Sequence, residues 1–290
     1  MKTSRLVLSG LIALSMMAVG SLGFADQGDT TTAPVAKVTT PVYHPEASDF
    51  APPLGKYDYT VSWEGIPAAE ASISVEQEGL HYRIVADART YSGVDLLYTL
   101  RYRAESLISA IDYSPIKTII DQRENSTKRS TQISFRDNGD IETVRSKNGK
   151  DTVVQTLNTD NFTLDPFSAS FLARSLDWKV GDTREFDTFN GKTRYIISLT
   201  AKDKVNMKVN GVERPVWVIV PGVRSADTNQ PNKKLREAKI YVTADSKREV
   251  LQIVSSVFIG SVKTTLDTFT PSKRSPVTHV AQENQNHILK

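Results

Sequence analysis

Four Asn-Gly pairs, at Asn138-Gly139, Asn148-Gly149, Asn190-Gly191 and Asn210-Gly211, constrain this chain more than any other feature. Asn followed by Gly tolerates the two positive φ angles of a type I′ turn, the tightest link between antiparallel strands. Each pair lies between segments that read as strands, so the sequence predicts successive hairpins, because parallel crossovers need connections of about a dozen residues or more. The strands themselves show as a period of two. Tyr57, Tyr59, Val61 and Trp63 alternate with Lys56, Asp58, Thr60 and Ser62, and Ala69, Ala71, Ile73 and Val75 alternate with Glu70, Ser72, Ser74 and Glu76, with a turn around Gly65 between them. The pattern recurs at Leu80, Tyr82, Ile84 and Ala86, at Tyr98, Leu100, Tyr102 and Ala104, and at Tyr195, Ile197 and Leu199. The expected fold is all-β, a mainly antiparallel up-and-down barrel, closed or half-open, of about 13 to 15 strands; two abutting sheets are the alternative.

One segment breaks the period, Asp165-Pro166-Phe167-Ser168-Ala169-Ser170-Phe171-Leu172-Ala173-Arg174. Asp165 suits an N-cap, Pro166 the first helical position, and Phe167, Phe171 and Leu172 share one face, so a short helix packing on the sheet is expected. It separates about eight strands from about six.

The ends of the chain read differently. Lys2 and Arg5 precede an uncharged apolar stretch from Leu6 to Leu22, and Gly23, Phe24 and Ala25 follow as a cleavage site. Residues 1–25 therefore read as a secretory signal peptide, against the alternative of a membrane anchor. With no Cys in the chain, neither a lipid-modified N-terminal cysteine nor a disulfide framework is available, and an exported chain of this kind suits a bacterial periplasm. Once the signal is cleaved, no transmembrane span is expected. Residues 26–52 are rich in Thr, Pro and Ala and read as a flexible leader, residues 53–270 as the β-rich domain, and residues 271–290 as a flexible tail. The net charge of +3 gives no reason to expect nucleic acid as partner.

Residues that could carry chemistry are few. Of four His, His44 lies in the leader and His279 and His287 in the tail, leaving His81 on the polar side of its strand; no metal site and no cofactor are expected. There is no Cys nucleophile, no Gly-x-Ser-x-Gly elbow and no phosphate-binding loop. Asp121, Arg123 and Glu124, or Asp182, Glu185 and Asp187, would serve a carbohydrate-active hydrolase or lyase if they converged, and otherwise form solvated cross-strand ion pairs. Lys233-Lys234-Leu235-Arg236 reads either as a charged loop that guards a sheet edge or as a contact for anionic lipid.

Aromatic residues carry the remaining signal. Tyr57, Tyr59, Trp63, Tyr82, Tyr98 and Tyr102 share the apolar parity, which serves either a plain core or a concave surface for an apolar or lipid-like ligand. Ser168 and Arg174 would stand at the mouth of such a concavity. The sequence thus points to a non-enzymatic binding or scaffolding protein of the cell envelope, with a hydrolase or an envelope protein-interaction adaptor as alternatives.

The opening Tyr57-Asp58-Tyr59-Thr60-Val61-Ser62-Trp63-Glu64-Gly65-Ile66 with Ala69-Glu70-Ala71, the Asp165–Arg174 segment and the closing strands after Val242 resemble the bacterial domain-of-unknown-function family 3108. The resemblance spans residues 53 to 270 and implies an exported, largely β envelope protein, with no catalytic residue or cofactor to carry over. Ala69 stands where the family commonly has Gly.

Overall fold

The protein is seen in a computed structural model that describes residues 41–46, 50–226, 237–256 and 260–273. The expected signal segment, the basic run at Lys233 to Arg236, and His279 and His287 lie outside the described residues. In chain order the elements are β1 (Gly55–Trp63), β2 (Ile66–Glu78), β3 (His81–Thr90), α1 (Ser92–Asp95), β4 (Leu100–Ser109), β5 (Pro115–Glu124), β6 (Thr127–Phe135), β7 (Asp140–Lys147) and β8 (Lys150–Asn158). Then come α2 (Pro166–Ser175), β9 (Thr183–Phe189), β10 (Arg194–Val209), β11 (Val212–Ser225), β12 (Ala238–Thr243), β13 (Val250–Ser256) and β14 (Ser261–Pro271).

All fourteen strands form one sheet in the order β8-β7-β6-β5-β4-β3-β2-β1-β14-β13-β12-β11-β10-β9. Helix α2 does separate eight strands from six, but the antiparallel pairing of β1 with β14, from Gly55↔Pro271 to Trp63↔Val262, joins both sets into one sheet. The outermost strands, β8 and β9, are not paired with each other, so the barrel is half-open. The sheet rolls nonetheless. Phe189 at the end of β9 is buried against Ile133 of β6 and Ile141 of β7. The edge of β9 is also covered: Leu164 N–H donates to the Asp187 carbonyl, and Phe189 N–H donates to the Leu164 carbonyl. Those bonds satisfy groups that an edge strand would otherwise expose.

The turns correct part of the sequence reading. Asn148-Gly149 and Asn210-Gly211 have positive φ at both residues, as a type I′ turn needs, and link β7 to β8 and β10 to β11. At Asn138-Gly139 and Asn190-Gly191 only the Gly is positive. There the Asn side chain is a local acceptor instead, Asn190 taking the N–H groups of Lys192 and Thr193 at 3.0 and 2.9 Å and so stabilising a longer loop. Glu64-Gly65, with φ of 48° and 81°, forms a further I′-like turn between β1 and β2.

A register shift between Ala201 and Asp203 breaks the β10–β11 ladder, the kind of irregularity at which a hairpin bends. Beyond it the tip reaches back over the sheet, and Asn210 Nδ2 donates to the carbonyls of Leu266 and Asp267 on β14 at 2.9 and 2.8 Å. The core fills the concave face. Tyr57, Tyr59 and Val61, Ala69, Ala71 and Val75, Ile84, Ala86 and Ala88, and Leu100, Tyr102 and Ala104 all point into it, with α2 packed against them.

Candidate functional site

What α2 touches decides where a ligand has room. Its N-cap is Asp165, whose Oδ1 accepts the Ser168 N–H at 2.6 Å, as the sequence predicts. Its Oδ2 accepts the hydroxyls of Ser106 on β4, at 2.7 Å, and of Thr118 on β5. One fully buried carboxylate therefore caps the helix and anchors it to two strands. Phe171, one turn on, lies 6.1 Å from the rings of both Tyr82 and Tyr113. Trp178 Nε1 donates to the Ala173 carbonyl at 2.9 Å and closes the C-terminal end.

On its other flank α2 faces β9 to β13 without sealing against them. A cleft of about 70 Å³ remains, lined by Ala169, Ser170 and Ala173 of the helix, by Trp178, and by Phe186, Ile197, Leu199, Trp217, Ile219, Ile240, Val242 and Val250 of the sheet. Two guanidinium groups, of Arg174 and Arg248, are its charged lining. Arg174 Nε and Nη2 donate to the carbonyls of Arg248 and Lys247 at 2.7 and 3.2 Å, and its Cζ sits 5.5 Å from the Phe50 ring and 5.3 Å from the Phe171 ring. Arg174, in the last turn of α2, thus ties the helix to carbonyls of the loop before β13.

Of the eight residues that the sequence singles out, Arg174 alone lines this cleft. Tyr57, Tyr59, Tyr98 and Tyr102 are buried and Tyr82 is half-buried, in the part of the concave face that α2 fills. Burial pushes the Tyr57 phenol up to about 12, partly offset by Arg174, and pushes Tyr59 and Tyr102 higher still. Their hydroxyls are put to structural use: Tyr57 donates to the Pro53 carbonyl and Tyr59 to the Val250 carbonyl, each at 3.2 Å. Ser168 is wholly buried beneath the helix start. Trp63 keeps the expected parity, pairing with the buried Val262 of β14, but is 38% exposed because it is the last residue of β1, at the rim of the sheet. Leu80, expected inside a strand, sits exposed in the turn after Gly79.

The carboxylate sets do not converge. Asp121 and Glu124 lie three apart on β5 and so project to opposite faces, Glu124 pairing with Arg129 at 3.1 Å. Asp182 accepts the Lys179 N–H, Glu185 pairs with Arg224, and Asp187 is buried with Arg194. A wider groove of about 930 Å³ crosses the outer face of β14 and of β1 to β7, where the polar halves of the strands meet in cross-strand pairs such as Arg103–Asp87 at 2.9 Å and Arg89–Glu70. Its charges are largely spent on one another. Among the described residues no cluster of three or more His, Asp and Glu is placed to hold a metal, and no helix is long and apolar enough to cross a membrane.

Several site residues escape sequence reasoning. Trp178 follows α2 in a loop, while Phe186 and Trp217 belong to strands whose alternation is blurred by burial on both faces. Part of the Thr/Pro/Ala-rich stretch also lies on the body: the Tyr43 ring is 5.4 Å from Phe186, and Phe50 is 6.0 Å from Tyr113. The signal available for these was aromatic identity within an otherwise polar segment.

Comparisons with known proteins agree with this architecture. A family model described as a protein of unknown function, DUF3108, matches residues 58–267. No curated protein matches the sequence. Among solved structures, the chain resembles a β-barrel-like protein of domain of unknown function DUF1849 from Brucella abortus. The TM-score is 0.51 at 8% identity, over 76% of this chain and 97% of that one. At that identity the likeness is one of fold.

Proposed function

We propose that this chain, which belongs to the DUF3108 family of proteins of unknown function, is a non-enzymatic binding protein of the cell envelope, exported to the periplasm, that holds an apolar or lipid-like ligand between α2 and strands β9 to β13. The observation that carries this reading is the cleft itself. Protein interiors pack closely, and a gap whose walls are two indoles, a phenyl ring and aliphatic side chains is the kind of surface that binds apolar molecules. Export is supported by Lys2 and Arg5 ahead of the uncharged stretch from Leu6 to Leu22.

The test uses the full chain expressed with its own leader. The expected result is protein in the periplasmic fraction, beginning near Asp26, that carries a small molecule in native mass spectra which solvent extraction releases. Protein that carries no small molecule and binds no fluorescent lipid probe would end the binding reading, and retention in the cytoplasm would end the export reading.

A further inference from the structure

We propose that the occupant of this cleft is a single-chain amphiphile with an anionic head, such as a long-chain carboxylate, whose head is held by Arg174 and Arg248; the proposal rests on the cleft being the binding site. Two positive charges next to an apolar gap need a reason, since burying a guanidinium is costly unless it is paired. Among the described residues no Asp or Glu is bonded to Arg174, whose partners are two neutral carbonyls, the Tyr57 hydroxyl and the faces of Phe50 and Phe171. The acid next in sequence to Arg248, Glu249, is committed to Arg214 at 2.6 Å.

Arg248 is nine-tenths buried, and its pairing is incomplete. Nη1 donates to the Leu176 carbonyl at 3.1 Å, and Nη2 reaches Asp177 at a long 3.4 Å, where the carboxylate is mostly in solvent. Its Nε is buried with no acceptor. A buried N–H without an acceptor is an expensive arrangement that an incoming oxygen relieves. Guanidinium groups bind carboxylate and phosphate oxygens through short charge-assisted bonds, and two of them beside one gap select a charged head over a hydroxyl. The ring faces on either side of Arg174 hold its side chain in place before any ligand arrives.

The size of the gap selects the tail. At about 70 Å³ it has room for about five water-sized volumes of roughly 15 Å³ each, so it grips a segment of one slender alkyl chain and excludes a ring system or a pair of acyl tails.

The experiment is calorimetric titration of the full chain with dodecanoate and, in parallel, with dodecan-1-ol, both below their micelle thresholds. Dodecanoate should bind about tenfold more tightly than the alcohol, an advantage that added salt erodes. Arg174→Gln and Arg248→Gln should each remove about tenfold of dodecanoate affinity and leave the alcohol unchanged, and Arg174→Lys should restore part of the loss. Melting temperatures without ligand identify any variant that fails to fold, and for such a variant the other arginine and the salt dependence decide. Equal affinity for acid and alcohol would overturn the anionic head while leaving the cleft reading intact. If neither probe binds, the cleft reading itself fails.

Discussion

Replacing Asp165 by Ala tests the idea that one buried carboxylate sets α2 into the sheet. Three donors converge on it: the Ser168 N–H, the Ser106 hydroxyl and the Thr118 hydroxyl. Loss of the N-cap costs about 1 kcal/mol. The two hydroxyls lie 3.3 Å apart and can satisfy one another in part, so the substitution orphans one buried donor, at a further cost of about 1–3 kcal/mol. The sum is about 2–4 kcal/mol, which for a domain of this size lowers the melting temperature by roughly 5–15 °C. Asp165→Asn keeps a capping oxygen of similar quality and should lose about half as much. Thermal unfolding followed by circular dichroism measures both. An Ala variant that melts within about 1 °C of the parent would refute the reasoning, because it would mean that α2 is held by its apolar face alone.

Phe171→Ala removes a ring that is buried against Tyr82 and Tyr113 and should cost about 3–5 kcal/mol in urea unfolding. Gly55, with φ of +149°, opens β1 at its pairing with β14, and a Cβ there would lie 2.3 Å from the Thr270 carbonyl oxygen. Gly55→Ala should therefore destabilise by more than the roughly 1–3 kcal/mol of backbone strain alone, whereas Gly65→Ala, which meets nothing within 4 Å, should show the strain only. Asp95, hydrogen-bonded by Arg101 and Thr90, is held down to about 2 from 3.8. Because its folded value is depressed, its contribution is present above pH 3.8 and fades as pH falls toward 2, and Asp95→Asn should flatten acid unfolding across that window. Tyr57 has the opposite sign. Its raised value means stability that is complete below pH 10 and lost as pH rises toward 12, readable as tyrosinate absorbance rising together with unfolding.

The fold was legible where the physics is local. Alternation in β1 to β4, the Asp165-Pro166 helix start and the division into eight strands and six all follow from neighbours a few residues apart in sequence. What sequence could not supply depends on distant pairings. Nothing near Gly55 announces that β1 will meet β14, and nothing near Asp165 announces Ser106 and Thr118. The tyrosine stripe faces inward, as its parity indicates, yet where the helix lies across that face sets which residues are core and which are cleft. Trp63 shares the parity, opposite the buried Val262, yet is exposed because β1 ends with it, a boundary that alternation alone does not mark. Trp178, Trp217 and Arg248 went unnoticed because they come together only when β11, β13 and the chain after α2 converge.

The chain has three tryptophans, and their positions make occupancy of the cleft directly measurable. Trp178 and Trp217 line the cleft, whereas Trp63 stands exposed at the end of β1. Three single-tryptophan variants, with the other two changed to Phe, are titrated with dodecanoate brominated at its far end, which quenches indole fluorescence on contact. Saturable quenching of Trp178 and Trp217 at a common midpoint is expected, with Trp63 unaffected. Quenching of Trp63 to the same extent, or fluorescence from Trp178 and Trp217 that does not respond to the probe, would contradict it.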